Sequence, residues 1–139
     1  MSGLVEVLKS YEVNAVAWTG IVGQTAEFRE FMAEAEKERA DKIILKRGQR
    51  IQAGSGLSID VLAPLDDFEG RSAKDTNVSS LVLKMTYGPD TFMLMGDAPV
   101  SVERELLEQT DDLEGEVLQV GHHGSKSSTS QDWLETVIP

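Results

Sequence analysis

The chain has only two histidines, His122 and His123, and they stand side by side in Val117-Leu118-Gln119-Val120-Gly121-His122-His123-Gly124-Ser125, after a short apolar run. Upstream, Phe92-Met93-Leu94-Met95-Gly96-Asp97 carries a second apolar run that ends in a carboxylate. A carboxylate and an imidazole at the ends of two neighbouring strands can converge on one divalent cation, because strand ends project side chains onto a common rim while the strands fix the backbone. The competing reading makes Asp97 a first-turn acid of the following helix, favoured there by the helix dipole. The histidine pair is more telling, since flanking glycines and the serine-rich stretch Ser125-Lys126-Ser127-Ser128-Thr129-Ser130 expose both rings.

Other polar residues fall near the same rim. Asn77, Ser79 and Ser80 precede the strand that leads toward Asp97 and can present an amide and hydroxyls to a substrate, or simply cap a loop. Ser125, Ser127 and Ser128 can hold an anion through hydroxyls and backbone N–H groups, although serine loops are common. No Gly-x-Ser-x-Gly elbow, phosphate loop or dinucleotide fingerprint is present, which removes serine nucleophiles and those nucleotide folds.

Composition narrows the chemistry further. There is no cysteine, so disulfides, thiolate zinc sites and cysteine nucleophiles are excluded and any metal must use His, Asp, Glu and water. The 24 acidic against 13 basic residues give a formal charge of −11, which disfavours a broad phosphate-binding surface. A bound cation would reverse that sign locally. No apolar run is long enough to span a membrane, and the first residues lack a signal-peptide pattern. The chain is expected to be soluble and to make no membrane contact of its own.

The elements that must hold these residues alternate between helix and strand. Leu4, Val5, Val7 and Leu8 suit a short helix, and residues 13–18 read as a buried strand. Thr25 caps a helix over 26–40, with Phe28, Phe31, Met32 and Ala35 on one face. A strand over 42–46 and a hairpin of 50–53 with 57–62 around Gly54-Ser55-Gly56 follow. Residues 64–78 form a long polar loop. Strands over 80–87 and 91–95 flank Gly88-Pro89-Asp90, and a helix starting at Pro99 turns Val102, Leu106 and Leu107 inward. Residues 117–120 read as a buried strand, and Ser130 caps a last helix carrying Trp133, Leu134 and Val137. Intermixed strands and helices predict a sandwich of sheet and helices in one domain. Both ends read as cuts, since Pro139 would lead into another strand.

The segments LKRGQRIQAGSGLSIDVLAP, NVSSLVLKMTYG, FMLMGD and VLQVGHHGSKSSTS, in this order, resemble the metallo-β-lactamase-like domain of ComEC-type DNA-uptake (competence) proteins. The resemblance covers nearly all of residues 1–139 and implies an α/β (α+β) fold, an αββα sandwich that is incomplete here. It matches Asp97 to a metal-bridging aspartate and one of the two histidines to the last histidine ligand. His122, which directly follows the strand end and its glycine, is taken as the ligand, with His123 beside the metal shell or facing substrate; the reverse assignment stays open. Asp97 and His123 are then the catalytic pair, and Asn77, Ser79 and Ser125 the substrate-binding candidates.

The chain also departs from that family. The main His-x-His-x-Asp-His or His-x-Asp-x-Asp-His motif, which would precede Ser2, does not occur, and Asn77 and Ser79 stand where an internal histidine ligand would be. Zinc or manganese is therefore expected in the complete domain, with weak or no binding by this fragment. The implied activity is hydrolysis of DNA phosphodiesters during uptake, on the extracytoplasmic side of a membrane-anchored protein, with DNA and the missing part of the domain as partners. The alternatives are a non-catalytic, truncated module serving binding or homodimerisation, and a hydrolase of the same superfamily acting on a small phosphodiester.

Overall fold

The structure, a computed structural model, describes residues 2–138. Val5 and Leu8 share one side of α1 (Ser2–Ser10) and are buried, while Leu4 and Val7 face solvent. They pack with Val16, Phe31, Ala35 and Ala40 in a first core. The Thr25 hydroxyl accepts from the Phe28 N–H at 3.2 Å and starts α2 (Ala26–Lys37). The helix stops earlier than the expected residue 40. Arg39 takes φ 56°, and the N–H groups of Ala40 and Arg39 donate back to the carbonyls of Ala35 and Glu36. This is the left-handed helix stop usually built on glycine, here built on arginine.

β1 (Ala15–Trp18) and β2 (Asp41–Ile44) form a two-stranded parallel sheet. Only Val16 of β1 is buried, so residues 13–18 are not the buried strand the apolar run predicts; a two-stranded sheet covered on one face leaves Ala15 and Ala17 exposed.

The second sheet has five strands in the order β3 (Arg50–Ala53), β4 (Leu57–Ala63), β5 (Val82–Tyr87), β6 (Asp90–Leu94), β7 (Val117–Gln119). All pairings are antiparallel except β6 with β7. The parallel pair needs a crossover, which α3 (Val100–Gln109) supplies. α4 (Gln131–Val137) follows, capped by the Ser130 hydroxyl accepting from the Trp133 N–H at 3.3 Å. Met93, Met95, Ala98, Val102, Leu106, Leu113, Trp133 and Val137 form the second core between this sheet and these helices. Among the described residues the architecture is a mixed α and β fold, with four α-helices and each sheet carrying its own core.

Three expectations change. β7 is an edge strand with Val117 46% exposed, because it has a neighbour on one side only. Leu134 faces solvent, since Trp133 and Val137, four apart, take the inward side of a short helix. The 64–78 loop ends in a 3-10 turn, Thr76–Ser79, whose start is capped by the Asp75 carboxylate accepting from the Asn77 N–H. The expectation attached to Pro139 lies outside the described residues. No described helix is long and apolar enough to cross a membrane.

The two halves are joined through the polar loop. Gly70 N–H donates to Gly20 O at 3.0 Å and Val22 N–H to Arg71 O at 2.8 Å, and Lys46 pairs with Glu69 at 2.8 Å and Asp67 at 2.9 Å. The Glu69 and Asp67 carboxylates hold Lys46 above its ordinary 10.5. The Glu69 N–H and then Lys46 hold Asp67 below its ordinary 3.8. A lowered acid stabilises above its unfolded value and loses that contribution as pH falls through the folded one; a raised lysine loses it only as pH rises through its own raised value. The protection factors of the amides over residues 64–71, with the intrinsic pH dependence of exchange divided out, are therefore expected to stay flat between these limits and to fall at the acid end below about pH 4. Because the pairs are about half exposed, salt should flatten the effect. A step near neutral pH would contradict this assignment.

Candidate metal and phosphodiester site

Gly96 ends β6 at φ 53°, and a Cβ added there would lie 3.2 Å from Leu81 O and 3.4 Å from Ser80 Cβ. Glycine lets the end of β6 press against the start of β5 in a conformation other residues rarely adopt. Gly96→Ala should cost about 1–2 kcal/mol, read as a shift in the urea midpoint with unchanged slope; an unshifted midpoint would show that the close approach is not needed. The next residue, Asp97, donates its N–H to the Ser80 hydroxyl at 3.3 Å and keeps its side chain 45% exposed. It does not start α3, whose N-cap is Pro99 with no side-chain cap. The carboxylate is left free for other chemistry.

From β7 the chain enters a 3-10 turn, Gly121–Gly124. His122 N–H donates to Gly96 O at 2.9 Å and ties the two strand ends together. His122 (φ 46°, ψ 48°) and His123 (φ 55°, ψ 28°) are both left-handed, at a cost on the order of 1–2 kcal/mol each. Strain of this kind persists only where the surroundings impose it, and it concentrates at functional sites. His123 Nε2 lies 3.8 Å from Asp97 Oδ1, with its side chain 87% exposed, and the two imidazole rings meet edge to face with centroids 6.2 Å apart. His123 is thus the histidine that faces Asp97, whereas His122 bonds the β6 end through its backbone.

The support beneath this turn comes from a residue outside the expected site. Glu103, fully buried in α3, accepts from the N–H groups of Thr129 and Ser130 through its two carboxylate oxygens. Thr129, itself left-handed at φ 60°, accepts from the Gly121 N–H through its hydroxyl at 3.0 Å. A chain of bonds therefore runs from Glu103 to the residue before His122. The signal was available: residue 103 lies three and four before Leu106 and Leu107 and so shares their inward face. Ser125 N–H donates to His122 O at 2.9 Å, and its hydroxyl is 3.0 Å from that of Ser127.

Asn77, Ser79 and Ser80 join Asp97 in the lining of a cavity of about 490 Å³ between the two halves of the fold. Ser79 is buried and donates to Thr76 O, so its hydroxyl is already engaged. Ser125 belongs to the histidine turn and does not line that cavity. As metal donors, Asp97 and His123 offer an oxygen and a nitrogen at a separation that two ligands of one cation can span. Among the described residues no group of three or more His, Cys, Asp or Glu gathers, so these donors fit part of a catalytic zinc shell and do not complete one.

No protein-family model matches the chain. It is 32% identical over 134 residues to ComE operon protein 3 of Bacillus subtilis, covering 96% of this chain and 16% of that protein. It is 34% identical over 84 residues to Recombination protein 2 of Haemophilus influenzae, covering 60% of this chain and 10% of that protein. The chain thus spans a small fraction of the length of the curated relatives that it matches.

Proposed function

We propose that this chain is a metallo-β-lactamase-like part of a DNA-uptake protein, in which Asp97 and His123 supply half of a metal centre that hydrolyses DNA phosphodiesters. The observation that carries the proposal is the 3.8 Å approach of His123 Nε2 to Asp97 Oδ1 at the ends of neighbouring strands, held by left-handed backbone. The likeness to ComE operon protein 3 along nearly the whole chain supports the link to competence and uptake. The remaining ligands would come from residues outside this sequence, and this chain alone binds zinc or manganese weakly. When bound, such a cation supplies a water of lowered pKa and polarises a phosphoryl oxygen. Asp97 contributes the anionic oxygen of the centre and His123 a ring nitrogen, while His122 fixes the β6 end and presents its ring beside them. Asn77 and Ser125 stand as substrate contacts, the first from the cavity and the last from the turn, while Ser79, whose hydroxyl donates to Thr76 O, lines the cavity wall beside Asn77. In this reading the domain works outside the cytoplasmic membrane as a soluble part of an anchored protein. Cleavage of single-stranded DNA with Mn²⁺ or Zn²⁺, by a longer protein that includes the upstream region, tests the proposal; absence of cleavage under both metals would sink it.

A second reading has its own observation. The free edge of β7 is flanked by Val117 and Val120, both more than 40% exposed, beside the end of α4, where Gly115 N–H bonds Val137 O. An open edge with apolar flanks favours strand pairing, which suits a non-catalytic module that packs on a missing strand or on a second copy. A concentration-dependent dimer abolished by Val117→Lys, together with an inactive longer protein, would favour this reading.

A further inference from the structure

We infer that the cavity beside Asp97 takes a nucleobase, so that the base enters between the two halves of the fold and its phosphate stays at the mouth by His123. This deepens the hydrolase reading and rests on it. Trp18 from β1, Phe28 from α2, Leu81 and Asn77 line the cavity, and Asp97 stands among the lining residues. At about 490 Å³ it falls within the range of small-molecule sites, about 300–1,000 Å³. Its chemistry decides which part of a nucleotide fits. The lining holds no lysine or arginine, and Asp97 is its only charged residue, so a phosphate group placed inside would meet no cation and one like charge. A neutral planar ring meets aromatic and aliphatic side chains, on which bases stack without regard to sequence. The lining also offers a polar contact suited to a base edge: the half-buried Asn77 carboxamide makes no hydrogen bond among the described residues, and an amide can both donate to and accept from a base. Since His123 faces the Asp97 carboxylate, a phosphate attached to a base so held lies where the metal donors are.

The test titrates the 139-residue chain with 2′-deoxyadenosine, with dAMP and with 2′-deoxyribose 5-phosphate, following tryptophan emission and ligand-observed NMR. Trp133 is fully buried, so a saturable change reports Trp18. The nucleoside and dAMP should bind with similar affinity and quench the emission, and the sugar phosphate should do neither. Asn77→Ala and Trp18→Leu should each weaken dAMP by about tenfold. Asn77→Ala keeps the test sound should the tryptophan variant fold poorly, because its amide holds nothing else in place. Sugar phosphate binding as tightly as dAMP, a nucleoside without saturable effect, or Asn77→Ala binding dAMP like the parent would each overturn the base site. If the base site fails while the longer protein still cleaves DNA, hydrolysis stands without it; if bases bind and no cleavage occurs, the hydrolase reading fails and the cavity remains a base site.

Discussion

Asp97→Ala in the longer protein is expected to lower metal-dependent cleavage of single-stranded DNA by about a thousandfold or more. A cation that polarises the phosphoryl oxygen and activates water contributes several kcal/mol, and about 4 kcal/mol corresponds to that factor. The fold should survive the change. Asp97 holds its neighbours through its backbone N–H to the Ser80 hydroxyl, which alanine retains, and its side chain caps nothing. Activity and stability should therefore separate: cleavage collapses while the urea midpoint barely moves. Asp97→Asn, which keeps shape and loses charge, should fall nearly as far. Among the histidines, His123→Ala should cost more than His122→Ala, because only His123 stands 3.8 Å from the carboxylate. The opposite ranking would return the ligand role to His122, and cleavage by Asp97→Ala within a few-fold of the parent would remove the carboxylate from the chemistry.

Glu103→Ala is expected to produce the largest loss of stability among single changes near the site, about 3 kcal/mol. Two backbone N–H groups, of Thr129 and Ser130, would lose their acceptor in a partly buried setting, at about 1–3 kcal/mol each before relaxation and water entry. Glutamine keeps one acceptor oxygen and should cost less. The change should also reach the histidines, because Thr129 carries the hydroxyl that holds Gly121. Amide exchange at Thr129, Ser130 and Gly121 would quicken together, and cleavage by the longer protein would fall with kcat more than KM. Glu103 acts here as a positioning residue, as it touches neither the donors nor the cavity. Uniform loosening of α3 with unchanged exchange at Gly121 would show that the buried carboxylate merely fills space.

Much of this arrangement was legible in residue order. The Thr25 and Ser130 caps, the Gly54-Ser55-Gly56 hairpin and the Gly88-Pro89-Asp90 turn follow from local rules, since each depends on side chains within a few positions of the backbone they satisfy. The ends of β6 and β7 were legible for the same reason: an apolar run followed by Gly96 or Gly121 marks where a buried strand ends and a rim begins. What depends on neighbours was not. Three apolar residues in a run of four cannot tell a central strand from an edge strand, so Val117 and Val120 read as buried although β7 has one partner. The facing of His123 rather than His122 arises from two successive left-handed residues, a conformation that imidazole side chains do not announce. The spacing of Glu103 places it on the inward face, but what it holds there is not legible, because its backbone partners Thr129 and Ser130 are distant in sequence.

If Asp97 and His123 are half of a metal centre, metal stoichiometry must depend on both. Zinc and manganese content would be measured in this chain, in the longer protein, and in its Asp97→Ala and His123→Ala forms. Weak, substoichiometric metal is expected in this chain, firm binding in the longer protein, and loss of that binding in both variants. Firm binding in the longer protein that neither substitution disturbs would contradict it.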